Sequence, residues 1–158
     1  MRFISASQIF SGKEFLKEDT VLVLKEDGTI TDLIAAESID NTKIEHYHGI
    51  LTPGFINTHC HLELSHLKDK INRHTGIVDF GLSVIKHRND IAAEQQQEYM
   101  LQADKDMKAA GIVAVGDISN SALSAGTKKQ SKLYYHTFVE LIALNPERAN
   151  LVFDAGLE

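Results

Sequence analysis

The stretch "GILTPGFINTHCHLELSHL", Gly49 to Leu67, puts His59 and His61 two residues apart, at the end of an apolar run that follows Pro53-Gly54. Side chains two apart on a strand face the same side. Both imidazoles are therefore expected to point at one place, with Cys60 turned away as a packed thiol. Neutral imidazole is the commonest protein ligand for zinc and a good one for ferrous iron. Two ligands do not make a catalytic centre, which takes about three protein ligands and an open position for water. An H-x-H pair also arises by chance, so a metal pair and two unrelated histidines both stay open at this level.

Composition narrows the classes. The chain has 158 residues, a formal net charge of -6 and 43% hydrophobic residues, enough for one modest core. The acidic balance argues against a nucleic-acid surface, which needs clustered Lys and Arg. A single cysteine excludes an internal disulfide framework and fits a reducing compartment. No run reaches the ~20 apolar residues of a membrane helix, and "MRFISASQIF" lacks the apolar core of a secretory signal. The expected location is the cytoplasm. The expected partner is a small-molecule substrate rather than nucleic acid or membrane, and a homo-oligomer is left open.

Outward from the histidines the periodicity changes. Residues 1–50 read as short strands: "RFISASQIF", then "VLVLKEDGTITDLI" folded about Asp27-Gly28 as a hairpin, then "KIEHYHGILTPGF". In residues 51–158, "TGIVDFGLSVIKHRND" carries Ile77, Phe80, Val84 and His87 at helical spacing, although Gly81 weakens it. "DIAAEQQQEYMLQADKDMKAAG" is a clearer helix, with Tyr99, Met100, Ala103, Met107 and Ala110 on one face and Gly111 at its stop. "IVAVGDIS" and "KLYYHTFVELIAL" are apolar runs of the kind found in strands buried on both faces. At "NLVFDAGLE" a further helix is due. Strand, helical region, strand, short loop and strand make the pattern of a parallel α/β sheet. A complete (β/α)8 barrel takes about 250 residues, so three strands would be only its first part.

The block "LTPGFINTHCHLELSHL" resembles the first barrel strand of the amidohydrolase superfamily, within it the cytosine deaminase and chlorohydrolase (triazine hydrolase-like) branch. "AAGIVAVGDISNS" is similar to that branch's second strand and "YYHTFVELIAL" to its third. The continuation "HLELS" also resembles the aminodeoxyfutalosine deaminase-like members. The resemblance implies an α/β fold: the N-terminal part of a TIM-type barrel, its first three βα units in residues 51–158, preceded in residues 1–50 by strands of a small β-sandwich domain. It implies that His59 and His61 are ligands of one divalent metal, zinc ahead of iron. It also implies hydrolysis of C–N or C–Cl bonds by metal-activated water, as in deamination of a purine-, pyrimidine- or nucleoside-like ring. The branch's other ligands and its general acid/base come from later strands, expected beyond Glu158, so the chain alone is expected to be inactive.

Other residues carry paired readings. Glu63, just past the histidines, either orients substrate or is a solvated loop carboxylate. His66 either reaches substrate or lies on the surface, the surface being favoured. Asp117, which ends "GIVAVGD" in phase with Val113 and Val115, either hydrogen-bonds a ligand histidine from behind or caps the next turn. His136 and Glu140 share a strand face, where Glu140 either approaches the site or, as favoured, belongs to a buried hydrogen-bonded pair or a loop position, and Asn57 is expected on the face of His59 and His61. His46, His48, His74 and His87 read as exposed. Two alternatives stand beside deamination: a non-catalytic interaction fragment with weak metal binding, whose edges "IVAVG" and "TFVEL" invite a partner, and a cyclic-amide hydrolase of the same superfamily.

Overall fold

The structure, a computed structural model, describes residues 1–143 and 145–157. Leu144, the last residue of the third apolar run, and Glu158 lie outside them. The chain divides into two compact units, Met1–Pro53 and Gly54–Glu158.

The first unit is one four-stranded sheet. Its strands are β1 (Arg2–Ile9), β2 (Thr20–Leu24), β3 (Ile30–Ala35) and β4 (Ile44–Leu51), in the order β3-β2-β1-β4. The hairpin forms where Asp27-Gly28 places it. Gly28 has φ 86°, and the Asp27 carboxylate accepts the Thr29 N–H at 2.9 Å, which closes the turn locally. β4 then returns parallel to β1. Ala6, Ile9 and Leu22 are the buried centre, packed by Ile4, Leu16, Leu24 and Leu51. Among the described residues this unit is a single layer of four strands.

The second unit is an open parallel sheet of β5 (Phe55–Cys60), β6 (Ile112–Ser119) and β7 (Tyr134–Val139), with β6 in the centre. Thus "IVAVG" is the central strand and only β5 and β7 are edges, which corrects the edge assignment made from hydrophobicity alone. Three strands do not close a barrel. Helices α1 (Gly76–His87) and α2 (Ala93–Ala109) join β5 to β6, and α3 (Ala125–Gln130) joins β6 to β7. A last helix, α4 (Ala149–Ala155), follows β7.

The helix α2 stops where Gly111 adopts φ 82° and donates its N–H to the Lys108 carbonyl, a left-handed C-terminal cap that a Cβ would disfavour. Its inward face is narrower than the apolar spacing suggests. Gln96 and Met100 are buried, Ala103 and Met107 half-buried, while Tyr99 and Ala110 are exposed. α1 buries none of its residues.

Candidate metal centre

On β6 the side chains of Val115, Asp117 and Ser119 are buried, while Ile112, Ala114, Gly116 and Ile118 on the other face are half-buried. Parallel partners point the same way, so β5 can be read against β6. Asn57 pairs with Val115, and Cys60 pairs with Asp117. Three residues of β5 therefore match two of β6, a bulge. It puts Asn57 and Cys60 together on the Asp117 face. Asn57 reaches the thioether of Met107 on α2 at 3.6 Å. The expectation that Asn57 shares a face with the histidines fails here, because the one-residue slip inverts the strand's alternation.

His59, inside the bulge, and His61, just past the end of β5, flank Cys60 and bring their rings together. Their Nε2 atoms lie 3.3 Å apart, with ring centroids 5.3 Å apart. That separation has chemical meaning. Two nitrogens each ~2.05 Å from one ion, at a tetrahedral angle, are ~3.3 Å from each other. The same distance also suits a long N–H···N hydrogen bond. Nδ1 of His61, the ring's other nitrogen, is buried and has no partner among the described residues, so no hydrogen bond there orients the ring. Among the described residues, no group of three or more His, Cys, Asp or Glu side chains is placed to hold a metal ion. The donor set fits a borderline-soft divalent ion and is incomplete as it stands.

Cys60 is half-buried and free. Burial first, then the neighbouring Asp117 carboxylate, pushes its thiol up to about 12. Its place on the Asp117 face, away from the two imidazoles, is what keeps it from being a third ligand.

The segment after β5 is a 3-10 helix, Leu62–Leu67, under α2. It carries the next two candidates inward. Glu63 is 2% exposed. Its Oε1 accepts the Asn120 N–H at 3.1 Å and lies 3.7 Å from the Arg88 guanidinium, and its Oε2 accepts the Ser121 hydroxyl at 2.6 Å. It is not a solvated carboxylate; it ties the loop after β6 to the loop after β5. His66 is 1% exposed, which corrects the surface assignment. Its Nε2 donates to the Arg88 carbonyl at 3.1 Å, while Nδ1 is buried without a partner.

Asp117 is fully buried. Oδ1 accepts the Leu62 N–H at 2.7 Å. Oδ2 accepts the Ser119 hydroxyl at 2.9 Å and lies 2.5 Å from the Lys128 ammonium. It bonds to neither imidazole, so its contact is with the backbone that follows His61. Lys128 was not singled out from the sequence. Only the fold of α3 against β6 turns one of its two lysines inward. His136 is exposed and sets its ring against Phe138, centroids 4.6 Å apart. Glu140 lies past β7 and accepts the Asn120 side-chain amide at 2.9 Å, so His136 and Glu140 are not a pair.

No family model matches the chain. It is 27% identical, over an alignment of 162 positions, to the aminodeoxyfutalosine deaminase of a Nitratiruptor species, which takes in 100% of this chain and 39% of the relative. The crystal structure of Helicobacter pylori aminofutalosine deaminase in complex with methylthio-coformycin superposes with a TM-score of 0.72 at 24% identity, over 99% of this chain and 39% of that one. Atrazine chlorohydrolase from Arthrobacter aurescens, complexed with zinc, gives a TM-score of 0.68 at 14% identity, over 94% of this chain and 38% of that one. The likeness to these proteins therefore runs along the whole chain, and the chain has the fold of part of them. It spans 39% of the length of the curated relative it matches. Among the described residues, no helix is long and apolar enough to cross a membrane.

Proposed function

We propose that this chain is the N-terminal portion of a metal-dependent hydrolase of carbon–nitrogen bonds. Its substrate is a small molecule, an aminated ring of purine, pyrimidine or nucleoside type, and its reaction is hydrolytic deamination. The observation that carries the reading is the 3.3 Å approach of the His59 and His61 Nε2 atoms at the end of the first parallel strand. The similarity to a deaminase over the full chain supports the reaction class, and the zinc-complexed chlorohydrolase supports zinc ahead of iron.

His59 and His61 are two ligands of one divalent ion, and the remaining ligands and the general acid/base come from residues outside this set. A zinc ion there supplies Lewis acidity and a water of lowered pKa. The chain's own part is to aim the two imidazoles from the mouth end of the strand and to brace the loops around them. Glu63 does the latter by holding Asn120 and Ser121.

Zinc analysis of the purified chain tests the pair. One equivalent is expected, and His59→Ala/His61→Ala is expected to abolish it. Zinc that persists in the double variant, or wild-type protein that takes up none, would refute the assignment. Ammonia release from amino-purine nucleosides tests the reaction. It is expected only when the missing ligands are supplied, so metal-dependent turnover by the 158 residues alone would contradict this reading.

A further inference from the structure

We infer that Asp117 and Lys128 are positioning residues for this metal pair, acting on His61 through its following peptide bond; the inference rests on the metal reading above. The His61–Leu62 peptide is held at both polar atoms. Its carbonyl accepts the Leu64 N–H at 2.9 Å, and its N–H donates to Asp117 Oδ1 at 2.7 Å. His61 itself has φ -122° and ψ 78°, outside both helix and strand, so no ladder sets its conformation. A metal-binding histidine is ordinarily oriented by a hydrogen bond on its other ring nitrogen. Among the described residues His61 lacks one, since its buried Nδ1 has no partner there. Clamping the backbone is the device that remains.

Lys128 makes the clamp rigid. An ammonium has three N–H donors, and all three are used: on Asp117 Oδ2 at 2.5 Å, Ser119 Oγ at 2.9 Å and Thr137 Oγ1 at 3.0 Å. Ser119 in turn donates to Asp117 Oδ2, and Ser124 lies 3.3 Å from Ser119. The Lys128 side chain is 11% exposed. The carboxylate is thus fixed from β6, β7 and α3 together, and its free oxygen is directed at one backbone N–H beside a ligand.

The test is a cobalt(II) titration of the full chain, read from the visible absorption of the bound ion, with a thermal melt of each variant. Asp117→Leu/Lys128→Met removes the acceptor and both charges together, so no unpaired charge is left buried. Asp117→Asn/Lys128→Met also removes the charges but keeps an oxygen for Leu62. The first variant is expected to lose roughly tenfold or more in affinity, the second to keep the wild-type value. If the leucine variant folds and binds as wild type, or if the asparagine variant loses affinity equally, the inference is overturned while the histidine assignment stands. If the leucine variant does not fold, the asparagine variant decides: retained affinity supports the clamp, and a loss of about tenfold overturns it. If wild type binds no cobalt, the metal reading and this inference fall together.

Discussion

A Cβ atom on Gly116 would stand 2.9 Å from the carbonyl oxygen of Thr58. Val115 and Asp117 send their side chains toward the helices, so Gly116 faces the histidine side, where the bulge of β5 crowds it. Real Cβ atoms do not approach a backbone oxygen so closely without a shift. Gly116→Ala is therefore expected to move the Asn57–Cys60 bulge and to cost ~1–3 kcal/mol, the usual range for overpacking. A calorimetric melt checks this; an unchanged Tm would mean that the bulge yields freely.

Cys60→Ser should leave the zinc content unchanged. The thiol is turned toward Asp117 and held protonated, on the face away from His59 and His61. Loss of bound zinc in this variant would make Cys60 a ligand and would reverse the reading of the bulge.

His66 and Gln96 meet at one carbonyl, that of Arg88, with Gln96 also donating to Ile91. In His66→Leu the Arg88 carbonyl keeps Gln96, and an unpartnered buried nitrogen disappears. The expected cost is under ~1.5 kcal/mol. Gln96→Leu removes two bonds from a buried position, for ~1–3 kcal/mol. Urea midpoints give the order directly, and a larger loss for His66→Leu would show that His66 does more than fill space.

Alkaline stability reports on Tyr135. Its hydroxyl donates to Asp104 Oδ1 at 2.9 Å, and the Ser131 hydroxyl donates to the same oxygen. Burial first, then the Asp104 bond, holds the phenol above its ordinary range. Above a pH of ~10 an unfolded tyrosine loses its proton while the folded one keeps it. The folded state then binds more protons, so this contribution to stability falls as pH rises. Tyr135→Phe should cost ~1 kcal/mol at neutral pH and should lose stability less steeply than wild type above pH ~10. Parallel stability-against-pH curves for the two proteins would rule this out.

Much of the scaffold was legible in the residue order because it rests on local chemistry. Asp27-Gly28 makes a hairpin in almost any context, since its turn closes on its own side chain and a positive φ. Gly111 ends α2 for a similar reason. The third apolar run forms a strand only over Tyr134–Val139, and as a largely exposed edge rather than a strand buried on both faces, while a helix, Ala149–Ala155, overlaps the last stretch as expected. The polar residues near the histidines were less legible. Glu63 read as a substrate contact or a solvated loop carboxylate and His66 as a surface histidine because nothing near them in sequence is a partner. Their partners are Asn120, Ser121 and Arg88, brought in from other loops.

The sequence by itself placed His59 and His61 near enough to meet, but β5 ends at Cys60 and His61 has φ -122° and ψ 78°, so their meeting is made by the fold and not by strand alternation. The sequence also determined that a parallel α/β sheet follows a separate set of short strands. Only the tertiary structure decided which residues lie behind the pair. A bulge is a relation between two strands, so Asn57 changes face only when β5 is laid against β6. Likewise Asp117 takes Lys128 rather than an imidazole, because a buried carboxylate goes to the donor that the packing of α3 brings to it.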